Sequence, residues 1–130
     1  MNSLTLALGW ALALNAMAQN PPPAKIRVTI DGKIFIGTLH DNPTANDFLS
    51  LLPLTVTLED YAATEKITYL PRKLATAGSP EGSKPAVGDI AYYAPWGNLA
   101  LFYKEAAYAR GLVPLGRSSR ASKRCGSADR

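Results

Sequence analysis

At 130 residues, 47% hydrophobic and 18% charged, the chain suits one folded domain and excludes both a two-domain architecture and wholesale disorder. Its formal charge of +4 is unevenly placed: residues 25–116 carry nine basic and nine acidic side chains, so the excess lies in the closing segment RSSRASKRCGSADR. One cysteine, Cys125, and one histidine, His40, exclude an intrachain disulfide and a Cys/His zinc set, and leave a single imidazole as base for any nucleophilic site.

Residues 1–24 contain no charged side chain. An apolar run, LTLALGWALAL (4–14), is followed by the small residues Ala16 and Ala18 and then by the prolines of NPPPAK. This pattern predicts a secretory signal peptide over 1–18, cleaved near Ala18, and a Pro-rich linker over 19–24. The run is shorter than the roughly 20 apolar residues of a membrane span, and no cysteine follows it to take a lipid. The expectation is an exported protein, periplasmic or secreted, without a stable membrane anchor. Cleavage removes Trp10 and leaves Trp96 as the one tryptophan.

KIRVTI (25–30) alternates apolar and polar residues as a half-buried strand does. Asp31-Gly32 is a two-residue hairpin turn signal, and KIFIGTL (33–39) returns as its partner. In HDNPTANDFLSLLP, Asn42 suits a helix N-cap and Pro43 the first turn. Ala45, Phe48, Leu49 and Leu52 then form one apolar stripe, and Pro53 stops it. LTVTLED (54–60) alternates again and predicts a strand with Leu54, Val56 and Leu58 inward. A short strand is expected around Ile67–Leu70, ended by Pro71, followed by a turn-rich surface loop over 75–88. GDIAYYAPWGNLALFY (88–103) reads as a hairpin with a Pro-Trp-Gly-Asn tip. Both faces of its strands are apolar, so both should be covered. GLVPLG (111–116) supplies a further strand. Short, regularly punctuated strands and one helix predict a mainly β chain: a small closed or nearly closed barrel with one short capping helix. Residues 117–130 read as a basic tail outside the 25–116 domain.

Three strings carry a family likeness. DYAATEKITYLPRKL, GDIAYYAPWGNLALFY and YARGLVPLGR, in that order, resemble a group of small bacterial proteins with a cyclophilin-like fold. The likeness spans roughly Lys25 to Arg117, and the polar residues after Arg117 depart from the group's pattern. It implies a compact cyclophilin-like β-barrel; it implies no settled activity, because a fold does not fix a function.

The fold name invites prolyl isomerisation. That chemistry needs an aromatic-lined cleft and a guanidinium that bonds the twisted peptide. True cyclophilins carry this arginine directly after Phe-His, whereas His40 stands between Leu39 and Asp41, so the motif does not carry over. Arg72 or Arg110 would have to serve from another position. Trp96 is the stronger physical lead: an indole at a hairpin tip either plugs the end of a barrel or lines its mouth for a ligand. Glu59, Asp60 and Glu65, interspersed with Lys66, Arg72 and Lys73, read as a solvated charged rim, and His40 as a loop residue. GSPEGSK (78–84) lacks the spacing of a phosphate-binding loop. The basic tail has no aromatic side chain for stacking on bases, so no nucleic-acid partner is expected. The resulting expectation is an exported, non-enzymatic module, without cofactor or metal, that binds a small molecule or extended peptide. Its site would be a barrel mouth formed by Tyr61, Arg72, Tyr93 and Trp96. The alternative is a peptidyl-prolyl isomerase with a non-standard active site.

Overall fold

The computed structural model describes residues 22–119. The expected signal peptide, the first residues of the linker, and the tail from residue 120 onward, Cys125 included, lie outside the described residues. Within them the chain runs β1 (Lys25–Ile30), β2 (Lys33–Leu39), α1 (Pro43–Leu49), β3 (Glu59–Tyr61) and β4 (Glu65–Tyr69). It continues through β5 (Gly82–Ser83), β6 (Asp89–Tyr93), β7 (Asn98–Phe102), β8 (Ala109–Arg110) and β9 (Leu112–Ser118). Seven strands form one antiparallel sheet in the order β1-β2-β9-β6-β7-β4-β3, and β5 and β8 form a separate two-stranded ribbon.

Local chemistry explains the first elements. Asp31 and Gly32 both take positive φ, 50° and 78°, and close the β1–β2 hairpin in the register Ile30 to Lys33. Asn42 caps α1 by accepting from the Ala45 N–H at 2.8 Å. Its Nδ2 donates to the Pro114 carbonyl at 2.9 Å, which ties the helix start to β9. The helix ends at Leu49, earlier than Pro53, and Leu51 and Leu52 follow through tighter i→i+3 bonds to Phe48 and Leu49.

The sheet is curled into a half-barrel. Side chains of β1 (Ile26, Val28, Ile30) share one groove with Ile90, Leu99 and Leu101 of the central strands, although β2 and β9 intervene in the sheet. That sharing requires the sheet to bend towards this face. Its core gathers Leu39, Phe48, Leu74, Ile90, Tyr92 and Leu115 beneath α1. Tyr92 is buried there, and its hydroxyl accepts from the Leu74 N–H at 3.0 Å. The opposite face carries a second cluster of Ile67, Ala91, Ala100, Phe102 and Leu112. Both faces of β6 and β7 are therefore covered, as their two-sided apolar pattern requires.

Two strand expectations change. Of 54–60 only β3 at its end pairs with a neighbour. Leu54, Val56 and Leu58 instead line the far wall of the groove opposite β1, about 340 Å³ in volume, where the curl stays open. Thr55 lines the same groove and Val56 stays exposed, so the alternation of the sequence is only partly kept, and it could not supply a partner backbone. At the other end, β9 runs through Ser118, beyond the expected boundary at 116. Arg117 pairs with Thr38 and Asp89, and its guanidinium meets Asp89 at 3.0 Å. Pro114 is accommodated in this interior strand because the register slips by one residue opposite Ile90 and Ala91, leaving Leu115 as the bulge. Gly116 is required for close approach, since a Cβ there would strike the Thr38 carbonyl and come within 2.9 Å of the Leu39 Cα. The 75–88 loop is not wholly a surface loop. It contributes β5, and Pro85 is buried against the second face.

Candidate ligand-binding site

The β6–β7 hairpin turns through Ala94-Pro95-Trp96-Gly97. The Trp96 and Gly97 N–H groups both donate to the Tyr93 carbonyl, at 3.2 and 2.8 Å, and Gly97 takes φ of 70°. The tip is fastened from two sides: the Ala94 N–H donates to Gly111 (2.9 Å), and the Leu70 N–H donates to Gly97 (3.3 Å). Trp96 nevertheless remains 46% exposed. Its indole meets the ring of Tyr93 at a centroid distance of 5.4 Å and 79°, and the ring of Tyr61 at 5.4 Å and 86°.

Tyr61 comes from a second hairpin, β3–β4, whose three-residue loop holds Ala62 and Ala63 at φ of 55° and 56°. Two successive non-glycine residues in the left-handed region are strained. The loop is held by the Ala63 N–H donating to Asp60 Oδ2 (3.2 Å) and the Thr64 N–H donating to the Tyr61 carbonyl (3.1 Å). Its register sets Tyr61 opposite Glu65, so both project to the face of Trp96.

Beneath these rings lies a cavity of about 190 Å³. Tyr61, Tyr93 and Trp96 form its aromatic wall and Ile67, Phe102 and Leu112 its apolar floor. Residues 106–109 close a further side, held by the Ala106 N–H to the Pro85 carbonyl and by the β5–β8 ribbon. The floor belongs to the second cluster, so the cavity sits on the face of the sheet away from α1. Trp96 thus neither plugs nor rims the space enclosed by the curl, as its place on a hairpin tip had suggested. It roofs a pocket on the other side.

Three of the four expected site residues, Tyr61, Tyr93 and Trp96, are brought together. Arg72 is not. Its guanidinium makes a two-pronged bond to Asp47 of α1 at 2.8 and 2.9 Å and also donates to Ser50 (3.2 Å). Arg110, the other arginine weighed for isomerase chemistry, faces Glu81 at 3.8 Å. Among the described residues no arginine lines the cavity. His40 is an exposed loop residue whose backbone N–H donates to Leu115. Among the described residues no group of three or more His, Cys, Asp or Glu is placed to hold a metal ion.

Two polar residues of the cavity were not among the expected site residues. Glu65, expected on a solvated rim, is half-buried in the lining, and burial raises its carboxyl pKa above the usual value. Thr64 Oγ1 donates to it at 3.1 Å and opposes that shift; the nearby Asp60 charge adds to it. Asn98, expected in the turn, is the first residue of β7 and only 1% exposed. Its Nδ2 donates to the Leu99 carbonyl at 3.3 Å, whereas its buried Oδ1 has no partner. A signal for both existed in strand parity: Glu65 shares a face with Ile67, and Asn98 with Ala100 and Phe102.

The cavity is thus an aromatic-walled pocket with one carboxylate and one open acceptor. No curated protein and no solved structure matches the chain. The sequence model of the Cyclophilin-like family matches residues 28–127. The match includes the segment after Arg117 that was expected to depart from the family's pattern. With that match over most of its length, and with a mainly β half-barrel capped by one short helix, the chain belongs to the cyclophilin-like family.

Proposed function

We propose that this cyclophilin-like protein is an exported binding module that holds a small molecule in the cavity under Trp96. One observation carries this reading: three aromatic side chains from two separate hairpins converge on a pocket that also holds a half-buried carboxylate and an unpartnered buried acceptor. Aromatic walls with few, placed polar groups are the usual make-up of a ligand pocket. Its size suits a compact guest, since a cavity of about 150 Å³ holds a benzene-sized body. Export is supported by the apolar run and small-residue site before the Pro-rich linker. Isomerase chemistry finds no guanidinium in the lining to stabilise a twisted peptide, so binding is the better supported function.

The test is emission from Trp96 in the full chain carrying Trp10→Phe, titrated with small amines, alcohols and carboxylic acids. At least one compound should shift the emission, and Trp96→Leu should weaken that compound by about tenfold in calorimetry. A flat response to every compound would contradict the proposal.

A further inference from the structure

Resting on the reading that this cavity is a binding site, we propose that its ligand is a small organic ammonium ion. The ion would carry at least one N–H donor on an apolar body. The charge in the lining points one way. Among the described residues Glu65 is its one carboxylate, and neither lysine nor arginine lines it. Lys66, next to Glu65 in sequence, lies on the opposite face of β4. There its Nζ meets Asp60 at 3.5 Å and stands 5.9 Å from the centre of the Tyr103 ring. Lys84 Nζ reaches the Ala106 carbonyl at 3.4 Å but remains exposed and outside the lining. Among the described residues, therefore, no cation neutralises Glu65 within the pocket.

The open hydrogen-bonding position has the same sense. Asn98 spends its donor on Leu99 and leaves an acceptor, Oδ1, buried without a partner. Such a group carries an uncompensated desolvation cost that a guest's N–H would remove. A carboxylate guest would face an acceptor and a like charge. A neutral alcohol would satisfy Asn98 and gain nothing from Glu65. An ammonium ion gains from each: its N–H can be accepted by Asn98, and its charge is favoured by Glu65, which lies four residues along the β4–β7 ladder from Asn98.

The aromatic wall adds a third, independent preference. Tyr61 and Tyr93 stand nearly perpendicular to Trp96, so neither is stacked face to face on the indole. Each edge-to-face contact occupies one face of one ring of the pair, so other faces of the wall stay free, and a cation within about 6 Å of a free face is attracted to it. Burial already disfavours the charged form of Glu65, and a cation beside it would restore that form.

Calorimetry on the full chain at neutral pH tests this with three probes of similar shape: phenethylammonium, phenethyl alcohol and hydrocinnamate. The ammonium should bind about tenfold or more tightly than the alcohol, and hydrocinnamate should give no measurable heat. Glu65→Gln, nearly isosteric, should bring the ammonium within about twofold of the alcohol, and it should not lower the unfolding midpoint at neutral pH, because it removes a charge that burial disfavours. An ammonium that binds no better than the alcohol, or a preference that survives Glu65→Gln, overturns the inference. If all three probes bind alike and Trp96→Leu abolishes them, the cation preference fails while the binding reading stands. If none binds, both fail.

Discussion

Asp47 collects donors from a different part of the chain: two from the Arg72 guanidinium, one from the Ala75 N–H at 2.8 Å. Those bonds, the Arg72 side chain first, hold its carboxyl far below the usual carboxylate range. Arg72 thereby fastens α1 to the segment after β4, which is a structural task and the reason it is absent from the cavity. The sign of the pH effect follows. A carboxyl whose pKa is depressed on folding adds stability in full above its unfolded pKa, about 3.9. That contribution fades as pH falls from there towards the folded value. The urea midpoint of the wild type should exceed that of Asp47→Asn at neutral pH, and the gap should close progressively below about pH 4. A gap that is constant across that range would show that the carboxylate's charge is not what matters. Arg72→Ala should likewise lower the midpoint at neutral pH while leaving binding at Trp96 untouched.

At the scale of elements, two hairpins build the pocket and differ in how plainly the sequence declares them. Asp31-Gly32 and the Asn42-Pro43 helix start were readable because each is local chemistry, a glycine at positive φ or an amide side chain on a free N–H. The β6–β7 hairpin was readable for its two apolar faces, and its mate β9 for its apolar run. The β3–β4 hairpin was not, because its loop uses Ala62 and Ala63 at positive φ where glycine or asparagine would have announced it. Its consequences for the pocket, Tyr61 and Glu65 on one face, were missed with it. Strain in this loop makes a prediction. Ala63→Gly relieves a left-handed alanine and should stabilise the fold by about 1 kcal/mol, read as a higher urea midpoint with unchanged m-value. A lower midpoint would mean that the alanine methyl contributes packing that outweighs the strain. Arg72 was misplaced for a different reason. Its partner lies 25 residues away, on a helix face, and sequence proximity to Tyr61 and Glu65 carries no information about such pairing.

At the scale of the whole molecule, two of the concave sites among the described residues lie on opposite faces of one curled sheet, and the proposed function depends on which is used. The inner groove, between β1 and Leu54–Leu58, is the larger, at about 340 Å³, and is lined chiefly by aliphatic side chains of the open curl. The outer pocket, at about 190 Å³, is smaller but has the aromatic wall, the carboxylate and the open amide oxygen. A barrel was expected to bind at its mouth, and strand periodicity alone cannot say which face the 103–109 segment will cover. The inner groove also carries Arg27, Thr29 and Thr55, but it lacks the three converging rings of Tyr61, Tyr93 and Trp96, and that aromatic wall decides the assignment here. The most direct test is a nitrogen–proton correlation spectrum of the full chain titrated with phenethylammonium. The largest shift changes should fall on the Trp96 indole N–H, the Asn98 side-chain amide and the backbone of Tyr61 and Glu65. Changes concentrated instead along Ile26–Ile30 and Leu54–Leu58 would place the ligand in the inner groove and contradict the account.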